Sequence, residues 1–530
     1  MRYFLLIFLS IFISCSENKD ISNLSIFKYN EISGINSLDP AFSKDLASVW
    51  ATAQLFNGLV QLDSNLNIQP CIAKSWEISN DKLVYDFLLK DDVYFHNVDK
   101  ASLEKGRKVN AFDFEYSLNR LIDDNVASPG RWVLSNVKSF EAKNDSIFTI
   151  KLKSPFPGFL GLLSMQYCSV VPKEIVESTD FHSNPIGTGP FKFQLWQKGE
   201  KLIFRKNQNY FEYQNEKRLP FLDGVSITFL RDKQAAFLQF VLGNLDFLSG
   251  IDASYKDEIL SKEGELNSKY EKKIKLFTQN YLNTEYLGFY AKDTLSPVKN
   301  LKIRQAINYG FDRKKMLKFL RNNIGTPAIN GFVPRGMPSF NDKLIGYDYD
   351  KQKSLELINE VKLENNGKLS PIILSTNSSY LDICEYIQNE LAKNGLEIEI
   401  NVSPPSTHRQ MVATSKLSFF RASWIADYPD AENYLSLFYS KNHSPNGPNY
   451  THFNNKEFDY LYEKSLSVSN DSLRFIYYNK MDQIIIDNAP IVPLYYDNIL
   501  RFTQKNIYGL SNNANNMLYL KRVKKYLAND

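Results

Sequence analysis

Between Ile372 and Val402 the chain reads strand, helix, strand. Ile372-Ile373-Leu374-Ser375 is a short apolar run. Leu381 to Asn394 is amphipathic at helical spacing and stops at Gly395, a residue suited to the left-handed turn that ends a helix. Leu396 to Val402 is extended again. A helix leading from one strand into another is an α/β unit. At 530 residues the chain is also too long for one simple core, so two or three lobes are expected. Val84–Leu89, Ser146–Leu152, Leu202–Arg205 and Val225–Leu230 read as further strands. Helices are expected from Asn110, over Asp232–Leu242, over Leu301–Asn322 and over Lys353–Val361.

The stretch Arg421 to Asp430 reads Arg-Ala-Ser-Trp-Ile-Ala-Asp-Tyr-Pro-Asp. An apolar strand runs into Trp424 and delivers the carboxylate of Asp427, and Pro429 and Asp430 end it. A carboxylate at a strand end beside an aromatic can hold an ammonium group, and burying it unpaired would cost several kcal/mol. The competing reading makes Asp427 a cap for a helix starting near Asp430-Ala431-Glu432.

Catalysis has little support. The five histidines, His96, His182, His408, His443 and His452, form no His-Glu-x-x-His pair, and no Gly-x-Ser-x-Gly occurs. Gly187-Thr188-Gly189-Pro190 leads into a strand without the Lys-Ser/Thr of a phosphate loop and reads as a turn. Nor do the cysteines form a metal motif, so no metal or cofactor is expected. Cys71, Cys168 and Cys384 read as buried thiols, with a Cys71–Cys168 disulfide as the alternative. A net charge of +4 without a Lys/Arg block gives no reason to expect nucleic-acid binding.

The N-terminus is Met1-Arg2, an apolar run from Tyr3 to Ile13, then Ser14-Cys15-Ser16. One positive charge, a short apolar core and a small residue before Cys read as a secretion signal. It resembles a lipobox, which makes Cys15 the lipidated first residue, although Phe12 departs from the commoner Leu. Residues 1–14 are then the signal and 15–23 a polar tether. Ordinary cleavage near Ser14 is the alternative.

Other pieces fall in a telling order: Leu38-Asp39-Pro40, Leu55–Val60, Pro70–Ser79, Asn110–Phe114, Pro185–Phe191, Arg304–Tyr309 and Ala489–Tyr496. Together with Trp424-x-x-Asp427-Tyr428 they resemble the oligopeptide and dipeptide solute-binding proteins of ABC importers, bacterial extracellular solute-binding protein family 5. The resemblance implies an α/β fold of periplasmic-binding-protein class II type, a two-lobed cleft with an extra inserted domain. Lobe I would comprise 24–60, 180–280 and 490–530, lobe II the insertion 61–179, and lobe III 281–489, with hinges near 280 and 490. It implies an extracytoplasmic, lipid-anchored monomer that performs no reaction, captures short peptides and hands them to an ABC permease. Another solute (oligosaccharide, nickel chelate, haem) or a hydrolase is the rival.

The resemblance also implies roles. Asp427 would pair with the peptide's α-ammonium, Ser423 and Ile425 would bond its backbone, and Leu46, within Lys44–Ala47, would do so from lobe I. Arg421 would reach the C-terminal carboxylate, and Trp424 would wall the pocket. Arg421 paired with a surface acid and Trp424 as plain core are the duller alternatives. Alternation sends either Tyr495 or Tyr496 into the cleft, and Tyr496 is the candidate carried forward. Arg335 is a further candidate anchor for a carboxylate. Two departures stand out. Gly130 follows Ser128-Pro129 where the family often has an aromatic, leaving the wall open or replaced by Trp132, and Ala431 replaces a common Pro.

Overall fold

The computed structural model describes residues 24–526 apart from Ala101, Ala253 and Ser469. The expectations for the signal and for Cys15 lie outside the described residues. Two long strands, Ile274–Phe289 and Ile491–Gln504, pair antiparallel along most of their length and form the spine of one mixed sheet. At one end Ile274–Phe289 takes Phe419–Ile425 as its other neighbour, followed by Ile372–Thr376 and Ile398–Val402. At the other end Ile491–Gln504 takes Phe247–Ser249, followed by Ile26–Asn30, Gly224–Thr228, Lys201–Lys206 and Phe191–Gln197.

The two halves have separate cores. Phe27, Tyr29, Trp50, Phe193, Phe204 and Val225 close one, and Leu287, Ile303, Ile358, Leu374, Ile387 and Phe419 close the other. Between them the pairing of the spine breaks register at Asn280–Thr284 against Asn498–Tyr496. This register shift lies within both strands, at 280–284 and 496–498. A third core belongs to the antiparallel sheet of Ala73–Ile78, Val84–Leu89, Ile147–Leu152 and Val137–Asn144, covered by the helix Ala111–Ile122. Asn110 and Asp113 close that helix start as a reciprocal capping box.

The α/β unit stands as Ile372–Thr376, Leu381–Ala392 and Ile398–Val402, with Gly395 at φ +79°. The single helix expected over Leu301–Asn322 is two, Leu301–Tyr309 and Arg313–Leu320. Asp312 caps the second by accepting the Lys315 N–H at 3.0 Å, so a local side-chain bond breaks a periodicity that ran on. Cys71, Cys168 and Cys384 are buried free thiols, and burial pushes them up to about 12, 12 and 11. None of the helices among the described residues is long and apolar enough to cross a membrane.

Candidate ligand-binding site

The strand Phe419–Ile425 has one used edge and one open edge. On the used side it pairs with Ile274–Phe289 from Phe419 to Ile425. Ser418 C=O and Ala426 N–H both bond toward that neighbour, so the even-numbered peptide groups face it. The odd-numbered groups face the other way. There the parallel neighbour Ile372–Thr376 reaches only Phe419 and Phe420. His408 Nε2 then bonds the Arg421 carbonyl at 2.8 Å. Beyond that point no strand among the described residues covers the edge, and the peptide groups of Ser423 and Ile425 are turned toward it. An extended ligand can add itself there as a strand.

Asp427 stands where this edge ends. Its partner is an amide: Asn433 Nδ2 donates to Asp427 Oδ2 at 3.2 Å, and Asn433 Oδ1 accepts the Asp427 N–H at 3.2 Å. Trp424 Nε1 donates to the same Asn433 oxygen at 2.8 Å. Trp424 also packs against the Tyr434–Phe438 core, so it holds Asn433 in place as well as filling space. Among the described residues no cation pairs with Asp427. The residue is open to solvent, yet protein lies around it on enough sides that desolvation raises its carboxyl above the ordinary range, against the Asn433 bond. The capping role falls instead to Asp430, which accepts the Glu432 N–H at 2.9 Å, the Tyr478 hydroxyl at 2.6 Å and the Arg474 guanidinium at 3.0 Å.

Three parts of the chain meet at Asp427. Tyr167 is pushed up to about 12 by burial first and then by Asp427 and Asp45. A Cβ at Gly130 would lie 2.4 Å from the Tyr167 ring, so glycine there leaves the room that Tyr167 fills. Tyr167 thus fills the space beside Gly130, while Trp132 is 41% exposed. Nothing local in the sequence marks Tyr167, because its partners are far along the chain. Next to Asp427, Tyr428 enters the third core, edge-on to Phe156 at 5.9 Å, and its hydroxyl bonds Glu432.

Leu46, Tyr496 and Arg421 take the following places in the fold. Leu46 opens the helix Leu46–Leu55, capped by Asp45 through the Ser48 N–H at 2.9 Å, so only the residues before it are extended. Tyr496 is buried, with its hydroxyl donated to the Gly331 carbonyl at 2.8 Å and its ring edge-on to Phe340. Tyr495, on the opposite face, is the one that joins the cluster around Arg421. Arg421 itself is 8% exposed, stacks on Tyr380 at 3.1 Å and is ion-paired with the buried Glu285. Its fork is thus occupied from within by a neighbouring strand. Arg335 lies over the Phe340 ring at 5.5 Å, on the Tyr496 side of the sheet.

A profile for bacterial extracellular solute-binding proteins, family 5 (middle region), matches residues 67–446. The chain belongs to this family. Its members are substrate-binding proteins of ABC importers that work outside the cytoplasm. The chain is 28% identical over 503 residues to heme-binding protein A of Haemophilus influenzae, covering 90% of this chain and 88% of that one. To the dipeptide-binding protein DppE of Bacillus subtilis it is 25% identical over 510 residues, covering 89% and 87%. Among solved structures, the periplasmic binding protein DppA of Helicobacter pylori in complex with the peptide STSA has a TM-score of 0.76 at 25% identity, over 94% of this chain and 98% of that one. HbpA2 of Haemophilus parasuis has a TM-score of 0.82 at 22% identity, over 94% and 99%, which concerns the fold alone. The two-lobed solute-binding fold of the family is the architecture described above. Among the described residues no group of three or more His, Cys, Asp or Glu is arranged to hold a metal ion.

Proposed function

We propose that this protein captures short peptides outside the cytoplasm and delivers them to the membrane subunits of an ABC importer. Asp427 carries the reading: among the described residues only Asn433 bonds this carboxylate and no cation pairs with it, at the end of an open strand edge. A peptide's α-ammonium supplies the missing charge, and its backbone supplies the missing strand. Backbone pairing is indifferent to side chains, which suits a binder of many sequences. The passages at 280–284 and 496–498 act as hinges, and closure follows from contacts a ligand makes with both lobes at once. The protein performs no reaction and acts as a monomer tethered through a lipid on Cys15.

Mass spectrometry of whatever purified protein lacking residues 1–15 releases on denaturation tests this. Short peptides with free N-termini are expected. Haem, a sugar or a metal chelate in their place would overturn the peptide reading and the role of Asp427 while leaving the fold intact.

A further inference from the structure

At the inner end of the open edge, Arg421 and Arg321 meet Glu285 and Asp497, and the four charges cancel. Glu285 lies directly across the strand pair from Ser423 and diagonal to Arg421, close enough to close the guanidinium. Asn283 ties the two acids together, donating to Glu285 at 3.1 Å and to Asp497 at 3.4 Å. Tyr495 lies under Arg321 at 5.2 Å, and Tyr380 lies under Arg421.

The cluster also has open hydrogen-bonding capacity. Arg421 Nε, Arg321 Nε, the Tyr495 hydroxyl and Asn283 Oδ1 have no partner among the described residues. Three open donors and one open acceptor around zero net charge complement a peptide group, which offers one C=O and one N–H. A carboxylate has lone pairs for all three donors, but it leaves the Asn283 acceptor without a donor and adds a negative charge beside Glu285. Ligand geometry agrees. An antiparallel ligand anchored at Asp427 pairs its first residue with Ile425 and its third with Ser423. Its next peptide group then falls at the cluster. Past that point the Arg421 carbonyl already belongs to His408, so the ligand leaves the strand edge.

Resting on the peptide-binding reading, we propose that Glu285 sets specificity at the inner end of the cleft. It makes that end charge-neutral, so the site takes peptides through an uncharged amide there and reads charge only at the amino terminus. The favoured ligands are peptides of four or more residues, or three-residue peptides amidated at the C-terminus. A free tripeptide acid places its carboxylate against a guanidinium whose charge Glu285 already neutralises.

Calorimetric titration of residues 16–530 with Ala-Ala-Ala, its C-terminal amide, the N-acetylated amide and Ala-Ala-Ala-Ala tests this. The amide and the tetrapeptide are expected to bind about tenfold tighter than the free tripeptide acid. Glu285→Gln, which leaves Arg421 an unmatched cation, reverses the acid-to-amide preference by about tenfold or more. Adding Arg421→Gln to it restores neutrality and returns the ratio toward that of the parent. If Glu285→Gln does not fold, the double variant and the parent's own ratio still decide. A parent that prefers the acid over the amide tenfold, or a folded Glu285→Gln with an unchanged ratio, overturns the role of Glu285. Loss of binding on N-acetylation alone supports the ammonium site independently, and binding of none of the four overturns both readings.

Discussion

Asp427 and Arg421 stand at opposite ends of one strand, and the fold treats their charges in opposite ways. Arg421 is buried with a carboxylate from the next strand already on its fork. Asp427 faces solvent with only an amide for company. A buried ion matched within the protein has little left to offer a ligand, whereas one left unmatched gains from any cation that arrives. On the proposed reading, charge recognition is concentrated at the Asp427 end. The same contrast separates Asp427 from Asp430, three residues on, which Arg474, Tyr478 and a helix N–H fully occupy.

The comparison can be broken from either end. The largest effect expected is Glu285→Ala, which strands the Arg421 guanidinium and costs about 3–5 kcal/mol of ligand-free stability in urea melts. Replacing both partners, Glu285→Leu with Arg421→Met, recovers most of that loss. A single variant as stable as the parent would show that the pair is not buried in solution. Next, Asp427→Asn weakens free-amine peptides roughly a hundredfold, about 2.7 kcal/mol, and leaves N-acetylated peptides unchanged by calorimetry.

Acid sharpens the same point. In the ligand-free protein the Asp427 carboxyl is raised by desolvation, and a bound ammonium favours the ionised form and lowers it again. Protons and ligand thus compete. Affinity holds near neutrality and falls as pH drops through the ligand-free pKa, by about tenfold per unit below it. N-acetylated peptides should show no such slope, and a slope shared by both would assign it to another group. The smallest change expected is Asn433→Ala, which frees the Asp427 side chain and costs about 1 kcal/mol of binding, roughly fivefold. The same substitution also removes the acceptor for Trp424 Nε1, so a change in tryptophan fluorescence should accompany it.

Much of this was legible before folding. Residues that act through their neighbours in sequence announced themselves: the α/β unit around Leu381–Ala392, the helix start at Asn110, and the strand that delivers Asp427. The order of short motifs carried the family. Pairing across the chain was not legible. Glu285 meets Arg421 from a strand 136 residues away, and Tyr167 packs beside Gly130 from 37 residues on. Tyr495 and Tyr496 are identical in type and adjacent, and only the packing of Gly331 and Phe340 against one face decided between them.

Local periodicity and capping depend on bonds a few residues long, so the sequence by itself determined most of the elements, and the order of its motifs determined the family. Whether a charge is spent or available depends on what the folded chain brings within a few ångströms of it. That is why the tertiary structure alone decided that Arg421 is closed by Glu285 while Asp427 stays open.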